Sequence, residues 1–523
     1  MTLSAAMYVQ RHIVSLCNNS CANRFFTIRC QSRRSSQLGD SMSYTYPTRR
    51  ATLATPTRQK PVWKWSPLVL GFCLLQGVAV RASEALTGNG LEPQGPTSPS
   101  GGPVILTPFK YIPPPGPSKK PANESAPKKR TPEQQRVIEL NAAGNYQAIA
   151  NEGIPKGTGD KPDDELQLIF ANSLAWTGNL RAAVAAYKVL ASGVYANEAL
   201  VGTANVERWS GRDDLALPMY EKVLQRDPGN ADAREGAELA SRELSPRTSL
   251  SLGSANDSSN MQRQSAAIKH RWRGADGSTI MEVETGTVDD ALPARKINQQ
   301  DITLRYQDLG LALKPSIELS VPNGNGQSLY ASAKIQFDED RETVEVGRVN
   351  WGKLVTNANA LAANLSASHI GLSAVRNFAL GSVLGRIDYY DISDNNSILS
   401  SRLQFNSAWR PLGSHVKPFA SIESRQAKFN TLNYWSPDHG STSLYAGLLA
   451  EWGVAEWNIY SSAQYGVGLS GEAGNGWSVT GGGKRWVSND MALSMNLWSM
   501  STWRDNANYR AQSATVTLEK LWR

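Results

Sequence analysis

Residues that could catalyse a reaction or bind a metal ion are few in this chain, and they are not clustered. All four cysteines lie before residue 86, and the five histidines include no HExxH pair. The carboxylates are scattered, with neither a Ser-His-Asp arrangement nor a paired-carboxylate spacing. The sequence therefore offers no catalytic, metal or cofactor site, and we expect that the protein is not an enzyme.

Polar and aromatic residues that alternate with apolar ones from residue 247 onward are the candidates for a functional role. For example, Ile302, Leu304 and Tyr306 share one face of an extended chain, and Arg305 lies on the other. If the apolar face meets lipid, the opposite face lines a lumen, where side chains tune selectivity. Parity assigns to the lumen Arg305, Tyr330, Lys334, Asp338, Tyr390, Arg402, Gln404, Arg410, Tyr445, Glu451, Tyr460, Gln464 and Trp498. For each residue alone, a solvated wall position or a lumen salt bridge is the simpler interpretation.

Sixteen segments of this alternating kind follow one another from residue 247 to the end of the chain. Each is about as long as a tilted strand that crosses a membrane, roughly 9–11 residues. An even number of strands is typical of a closed outer-membrane barrel. The segments are 247–256, 261–273, 278–288, 297–308, 311–322, 327–338, 342–351, 366–377, 381–392, 397–410, 415–429, 441–453, 455–469, 476–487, 490–503 and 509–522.

The connections between these segments alternate in length, as in barrels with short periplasmic turns and longer outer loops. Eleven of the fifteen tryptophans follow residue 246, several at strand ends, which is typical of aromatic girdles. A soluble β-sandwich also alternates but gives no reason for a last strand that runs to Trp522. We predict a 16-stranded antiparallel outer-membrane β-barrel over 247–523. The predicted short turns include 274–277, 338–341, 453–456 and 488–490, and the long loops are 289–296, 352–365 and 430–440.

Residues 131–246 have a helical period and repeat at intervals of 34 and 33 residues, marked by Gly144, Gly178 and Gly211. Such a period is typical of stacked helix-turn-helix units. The segment resembles the tetratricopeptide family, with two good units and one degraded unit. The resemblance implies a docking surface for other proteins, and a helical spacer is the alternative. The positions that carry the pattern are Gly144, Gly178, Ala183, Tyr187, Gly211, Ala216, Tyr220 and Pro228.

The first 85 residues are interpreted as a targeting segment. Residues 60–85 place basic residues before an apolar stretch and small residues after it, which is the order of a secretory signal peptide. The apolar stretch, 65–80, is shorter than the about 20 residues that a spanning helix needs. An uncleaved anchor and lipid attachment at Cys73 are the alternatives. We interpret residues 1–41 as an upstream extension of the reading frame, and the Pro/Gly-rich residues 86–130 as a disordered linker.

The charge of the chain divides at the same place. The whole chain has a formal net charge of +8, but its first 85 residues hold eleven basic and two acidic residues. The remaining residues hold 43 basic and 44 acidic side chains, a net charge of −1. A nearly neutral remainder is not expected to bind nucleic acid.

Signal, linker, repeats and barrel together resemble the outer-membrane exopolysaccharide secretins of the poly-N-acetylglucosamine and cellulose export type. The segment Asn433-Tyr434-Trp435-Ser436-Pro437, followed by five strands, is similar to a Tyr-aromatic-Ser-Pro segment of those exporters. The resemblance implies a channel in outer-membrane lipid that guides a polysaccharide chain and is inserted by the barrel-assembly machinery. It also implies periplasmic repeats that dock periplasmic or inner-membrane synthase or modifying proteins. A general solute porin and a plugged receptor or adhesin are the alternatives.

Overall fold

The computed structural model describes most of the chain after residue 129. The predicted targeting segment and all but the last residue of the predicted linker lie outside the described residues. The described residues are 130–155, 163–293, 295–323, 329–337, 341–355, 357–378, 380–409, 415–454, 457–504 and 507–523.

Seven helices in the described residues precede the first strand and form a helical array. Local signals fix their ends: Thr131 caps the first helix in a capping box with Gln134, and Pro132 stands at its first position. Gly144, Gly178 and Gly211 follow helices with φ of +70°, +80° and +80°, a conformation that favours glycine. The helices are α1 Pro132–Ala142, α2 Tyr146–Glu152, α3 Asp164–Trp176, α4 Leu180–Val189, α5 Ala196–Trp209, α6 Asp213–Arg226 and α7 Ala231–Leu244.

Two successive units of this array repeat the same side-chain contacts. The Tyr187 hydroxyl donates a hydrogen bond to Asn172 Oδ1 at 2.6 Å, and its ring fills the space where a Cβ of Gly202 would stand. Tyr220 repeats this arrangement one unit later: its hydroxyl lies 2.6 Å from Asn205 Oδ1, and its ring lies against Gly236. Ala183 and Ala216 are fully buried beside these rings. An aromatic ring on a small residue therefore sets the helix spacing in both units.

Sixteen strands follow, and they form one closed antiparallel barrel in which β1 pairs with β16. The sequence prediction of a helical segment followed by a 16-stranded antiparallel barrel is confirmed. The strands are β1 Arg247–Asp257, β2 Gln262–Arg273, β3 Thr279–Leu292, β4 Arg295–Asp308, β5 Ser316–Asn323, β6 Tyr330–Phe337, β7 Glu342–Asn350, β8 Ser366–Phe378, β9 Gly381–Ile392, β10 Ser397–Ser407, β11 Val416–Ala427, β12 Ser441–Val454, β13 Trp457–Gly471, β14 Gly476–Trp486, β15 Met491–Arg504 and β16 Ala507–Leu521.

Strand boundaries differ from the prediction most clearly in two places. The fifth strand begins at Ser316 rather than at 311, because the chain turns before it and Lys314 adopts φ +38°. The predicted loop 289–296 is mostly strand, since β3 continues to Leu292 and β4 starts at Arg295. Asp290 in this extension pairs with Arg263 and ties β3 to β2. Across the longer hairpin itself, the Asn298 side chain donates a hydrogen bond to Asp289 Oδ1.

The two faces of the barrel wall have opposite character. Ile302, Leu304, Leu372 and Leu403 lie on the outer face and are at least half exposed, as are many other apolar side chains of this face. A continuous exposed apolar band of this kind is stable only in contact with lipid. The molecule is therefore a transmembrane β-barrel. Among the described helices, none combines the length and the apolar character required to span a membrane.

Candidate functional site: the lumen and its two mouths

The inner face of the barrel divides into two walls of different chemistry. We call β2 to β11 the charged wall, because paired acidic and basic side chains run along it. We call β12 to β16 together with β1 the hydroxyl wall. The mouth at which α7 leads into β1 is the near side, and the opposite mouth is the far side.

The charged wall contains a fully buried ion pair near the far side. Arg263 Nε lies 2.5 Å from Asp290 Oδ1, and Arg263 Nη2 lies 2.6 Å from Asp290 Oδ2. The two side chains are 1% and 0% exposed. This two-pronged geometry is the strongest form of a guanidinium–carboxylate pair, so each charge is neutralised by the other.

A second cluster on the charged wall is centred on Arg305. Its guanidinium lies 2.5 Å from Glu318 Oε2 and 2.8 Å from carboxylate oxygens of both Glu282 and Glu284. The strand register places Glu282 and Glu318 directly opposite Arg305 on the neighbouring strands. One cation here holds three carboxylates together, and without it they would repel one another.

Ion pairs continue along β8 to β11. Asp388 accepts hydrogen bonds from Arg386 at 2.7 Å and lies 2.8 Å from His369 Nε2. Further along, Arg402 Nη1 lies 3.1 Å from Glu423 Oε1. The charges of this wall are therefore largely satisfied by one another rather than presented singly to the lumen.

The hydroxyl wall carries charged residues only at its ends in the described parts of its strands. Glu451, Lys484, Glu519 and Arg247 lie at the near end, and Asp257 lies at the far end. Between these ends the inner face consists of serine, threonine, glycine, amide and aromatic side chains with a few apolar ones. Examples are Ser443, Tyr445, Tyr460, Gln464, Ser478, Thr480, Asn496, Trp498, Ser513 and Thr515.

Buried polar atoms that lack a hydrogen-bond partner, in the part of the chain that the structure describes, occur on both walls. Ser400 Oγ is an example on the charged wall, and the hydroxyl wall has Trp498 Nε1, Thr480 Oγ1 and Ser441 Oγ. Thr480 and Trp498 are directly opposite each other on β14 and β15. A buried donor or acceptor without a partner costs free energy, so such positions favour a polar occupant that supplies the missing hydrogen bond.

Eleven of the thirteen residues that parity assigned to the lumen lie on the inner face, and Asp338 and Arg410 lie outside the described residues. The strand register places Gln464 of β13 diagonally beside Tyr445 of β12 on the hydroxyl wall, and Tyr460 lies four residues from Gln464 along β13. Arg402 and Gln404 are joined by a 2.6 Å hydrogen bond on the charged wall. The remaining described members are spread around the barrel: Arg305, Tyr330, Lys334, Tyr390, Glu451 and Trp498.

The near-side mouth carries the helical array. Arg273 Nη2 at the end of β2 lies 3.1 Å from Asp213 Oδ2 of α6, and the two side chains are 6% and 3% exposed. Lys314, in the β4–β5 turn, donates to the Ser210 carbonyl at 3.0 Å, and Asn377 of β8 donates to the Thr177 carbonyl at 2.8 Å. The turns that follow α3 and α5 are thus fixed to the barrel rim at several separate points.

At the far-side mouth, the predicted long loop 352–365 folds into the lumen, a course that the sequence did not predict. Residues 351–365, between β7 and β8, form two short helices, α8 Trp351–Leu354 and α9 Ala358–Ala362. Lys353 Nζ reaches the inner face of β4 and lies 2.6 Å from Asp301 Oδ2. Trp351 is fully buried against Tyr390 and Tyr434, with ring centroids 5.0 and 5.4 Å away.

The caps of these short helices were visible in the sequence. Asn350 Oδ1 accepts a hydrogen bond from the Lys353 backbone N–H, and Asn357 Oδ1 accepts from the backbone N–H groups of Asn359 and Ala360. Asparagine before a short apolar run is a helix-start signal. The signal could have identified the helices, but not their position inside the barrel.

One far-side group of side chains in the described residues has the composition of a metal site. Ligand atoms of Asp438, His439 and Glu472 lie within 4.8 Å of one another. His439 is exposed, and its hydrogen bond with Asp438 raises the pKa of the imidazole above its ordinary value. A raised pKa favours the protonated ring, which competes with metal binding, so we assign no metal to this group.

No family model and no curated protein matches the sequence. A solved structure described as a bacterial polysaccharide outer membrane secretin is similar with a TM-score of 0.43 at 12% identity, covering 54% of this chain and 99% of that one. OccK11 (OpdR) of Pseudomonas aeruginosa has a TM-score of 0.31 at 10% identity, covering 53% and 96%. A BenF-like porin of Pseudomonas fluorescens Pf-5 has a TM-score of 0.32 at 8% identity, covering 53% and 98%.

Proposed function

We propose that this protein is an outer-membrane channel that guides a secreted, neutral or weakly charged exopolysaccharide along the hydroxyl wall of its lumen. The observation that carries the proposal is the uncharged polar surface of that wall between its two charged ends. A sugar chain is a row of hydroxyl groups and C–H faces. It matches side chains that offer hydrogen bonds and aromatic rings without fixed charge.

The pairing of charges supports this choice of wall. On the charged wall, Arg263 and Arg305 are occupied by carboxylates of the same wall. Neutral buried atoms without a partner among the described residues occur on both walls, for example Ser400 Oγ and Thr480 Oγ1, so they do not distinguish the two. In the described parts of its strands, the hydroxyl wall between its charged ends offers neutral polar groups, with which a sugar hydroxyl can exchange hydrogen bonds as water does. A mobile polymer needs many weak contacts of this kind, because strong ones would hold it in place.

The helical array gives the channel a platform at one mouth. If the near side faces the periplasm, the array stands where a polymer would enter, with synthase or modifying proteins as its docking partners. Its attachment through the buried Arg273–Asp213 pair would keep such a partner aligned with the lumen. The barrel itself is then inserted in outer-membrane lipid by the assembly machinery.

A bilayer recording of the full chain tests this function. Single-channel conductance is measured with neutral β-glucan oligosaccharides and with polyuronate oligosaccharides of equal length. We expect the neutral oligosaccharides to block the current at lower concentration. Stronger block by the polyuronate would contradict the proposal.

A general solute channel is the second candidate, and the inward-folded loop 351–365 favours it. A loop pinned across the far mouth by Lys353 and Asp301 restricts the lumen, as suits a channel for small solutes. The same recording separates the two functions. Steady conductance that no oligosaccharide blocks would favour the solute channel, and a folded but silent barrel would favour a plugged receptor.

A further inference from the structure

The outer face of the barrel carries a groove that the channel function does not use. The groove has a volume of about 570 Å³ and crosses the wall from β6 to β12. Phe337, Leu372, Leu403 and Ile422 line it, all on the lipid-facing side of their strands. Its lining is therefore mainly apolar, and in a membrane it is open to acyl chains rather than to water.

The depth of the groove depends on Gly385 of β9. A Cβ added at this glycine would meet only the Leu403 side chain, at 3.9 Å, so the space above it is open. Its neighbour across the strand pair is Ala374, another small residue. Two small residues between large apolar side chains leave a slot. Gly385 does not have a positive φ, so its backbone conformation does not require glycine.

The near end of the groove carries a charged pair on the lipid-facing side. Glu342, which lines the groove, forms an ion pair with Arg376 of β8, and 47% of the Arg376 side chain is exposed. The exposed ring of Phe378 lies two residues beyond Arg376. Charges on the lipid side of a barrel are tolerated at the membrane interface, where aromatic girdles also lie. The pair therefore stands at the level of lipid headgroups.

We propose that this groove is a binding site for one phospholipid of the near-side leaflet with an amine-bearing headgroup, such as phosphatidylethanolamine. An acyl chain fills the slot over Gly385 and Ala374. The Arg376 guanidinium binds the phosphate, and the Glu342 carboxylate binds the ammonium group. Charge complementarity selects this occupant, because the ion pair presents both signs beside one apolar slot. The site does not depend on what passes through the lumen.

Native mass spectrometry of the full chain tests the site. The protein is reconstituted in nanodiscs of equimolar phosphatidylethanolamine and phosphatidylglycerol, released, and its retained lipids are counted. We expect the native protein to retain one phosphatidylethanolamine. Gly385→Leu fills the slot and should lower this occupancy about tenfold, equivalent to about 1.4 kcal/mol of binding free energy. Ala446→Leu, on the exposed outer face of β12 and not among the residues that line the groove, is the matched control and should retain the lipid.

A headgroup variant separates the two parts of the site. Glu342→Gln keeps the shape of the groove and removes the group that binds the ammonium, so retention should shift toward phosphatidylglycerol. Heat-modifiable migration in gels checks that every variant forms a folded barrel. Three results would each overturn the proposal: no lipid retained by the native protein, equal retention of both lipids by it, or equal occupancy in Gly385→Leu and Ala446→Leu.

Discussion

The two walls of the lumen carry polar groups of different kinds. The charged wall pairs its acidic and basic groups internally, as in the Arg263–Asp290 pair and the Arg305 cluster. The hydroxyl wall carries neutral polar groups between its charged ends in the described parts of its strands. Internal ion pairing stabilises and shapes a barrel, whereas a neutral polar surface can exchange weak hydrogen bonds with a ligand. In the proposed function, the charged wall stabilises the fold and the hydroxyl wall contacts the polymer.

Breaking the buried pair of the charged wall should have the largest effect. Arg263→Ala leaves the fully buried Asp290 without its partner, and we expect the free energy of unfolding to fall by about 3–5 kcal/mol. Urea unfolding in detergent measures this change. The double variant Arg263→Met, Asp290→Leu removes both charges and should recover most of the loss. An unchanged single variant would show that this pair does not hold the wall.

Releasing the Arg305 cluster should have a smaller effect on stability and a distinct effect on ion selectivity. Arg305→Ala leaves three carboxylates without their shared cation, so we expect a loss of about 1.5–3 kcal/mol and a reversal potential shifted toward cations. Arg305→Lys keeps the charge but loses the separate Nε and Nη1 contacts to different carboxylates, and should keep the selectivity while losing stability. A shift of equal size in both variants would contradict the assignment.

Removing an aromatic ring from the hydroxyl wall should weaken binding of the proposed polysaccharide. Trp498→Ala takes away both apolar ring surface and an indole N–H, which we expect to weaken block by neutral glucans by about 1–2 kcal/mol, or roughly 5- to 30-fold. Bilayer recordings at graded glucan concentrations measure the change. The matched control is Trp503→Ala, whose ring is exposed on the outer face and should leave the block unaltered.

A pH titration gives the smallest expected effect and concerns the array, outside both walls. Burial raises the pKa of the Glu207 carboxyl above its ordinary value of 4.5. Because the folded-state pKa is the higher one, the protonated acid is favoured by folding. Stability from this residue is present below pH 4.5 and is lost as the pH rises through the folded-state pKa. Glu207→Gln should flatten this slope in thermal unfolding between pH 4 and 7, and an unaltered slope would exclude Glu207 as its source.

Alternation at period two was sufficient to predict the strands, because lipid outside and polar surface inside impose it on every strand. It misplaced the start of β5, where Leu311 and Leu313 continue the pattern into a turn in which both are exposed. Alternation shows which residues share a face and not how far a strand extends. Turn geometry at Lys314 decides that boundary.

Contacts that join distant segments could not be predicted from the sequence. The Arg263–Asp290 pair depends on the β2–β3 register, which one sequence does not give. The inward fold of 351–365 depends on Asp301, 52 residues from Lys353. The same limit applies to Arg273 and Asp213, which join the array to the rim across 60 residues. Parity could therefore propose a lumen surface, but not its division into two walls.

The most direct test of the central claim asks which wall the polymer follows. The chain has no cysteine after residue 85, so single thiols can be introduced once the four upstream cysteines are replaced by serine. Thr480→Cys places a thiol on the hydroxyl wall, and Ser332→Cys places one on the charged wall, opposite Glu318. The rate of labelling by a charged thiol reagent is then measured with and without neutral β-glucan. We predict that the glucan slows labelling in Thr480→Cys and leaves Ser332→Cys unaffected; equal protection of both thiols, or protection in Ser332→Cys alone, would contradict a path along the hydroxyl wall.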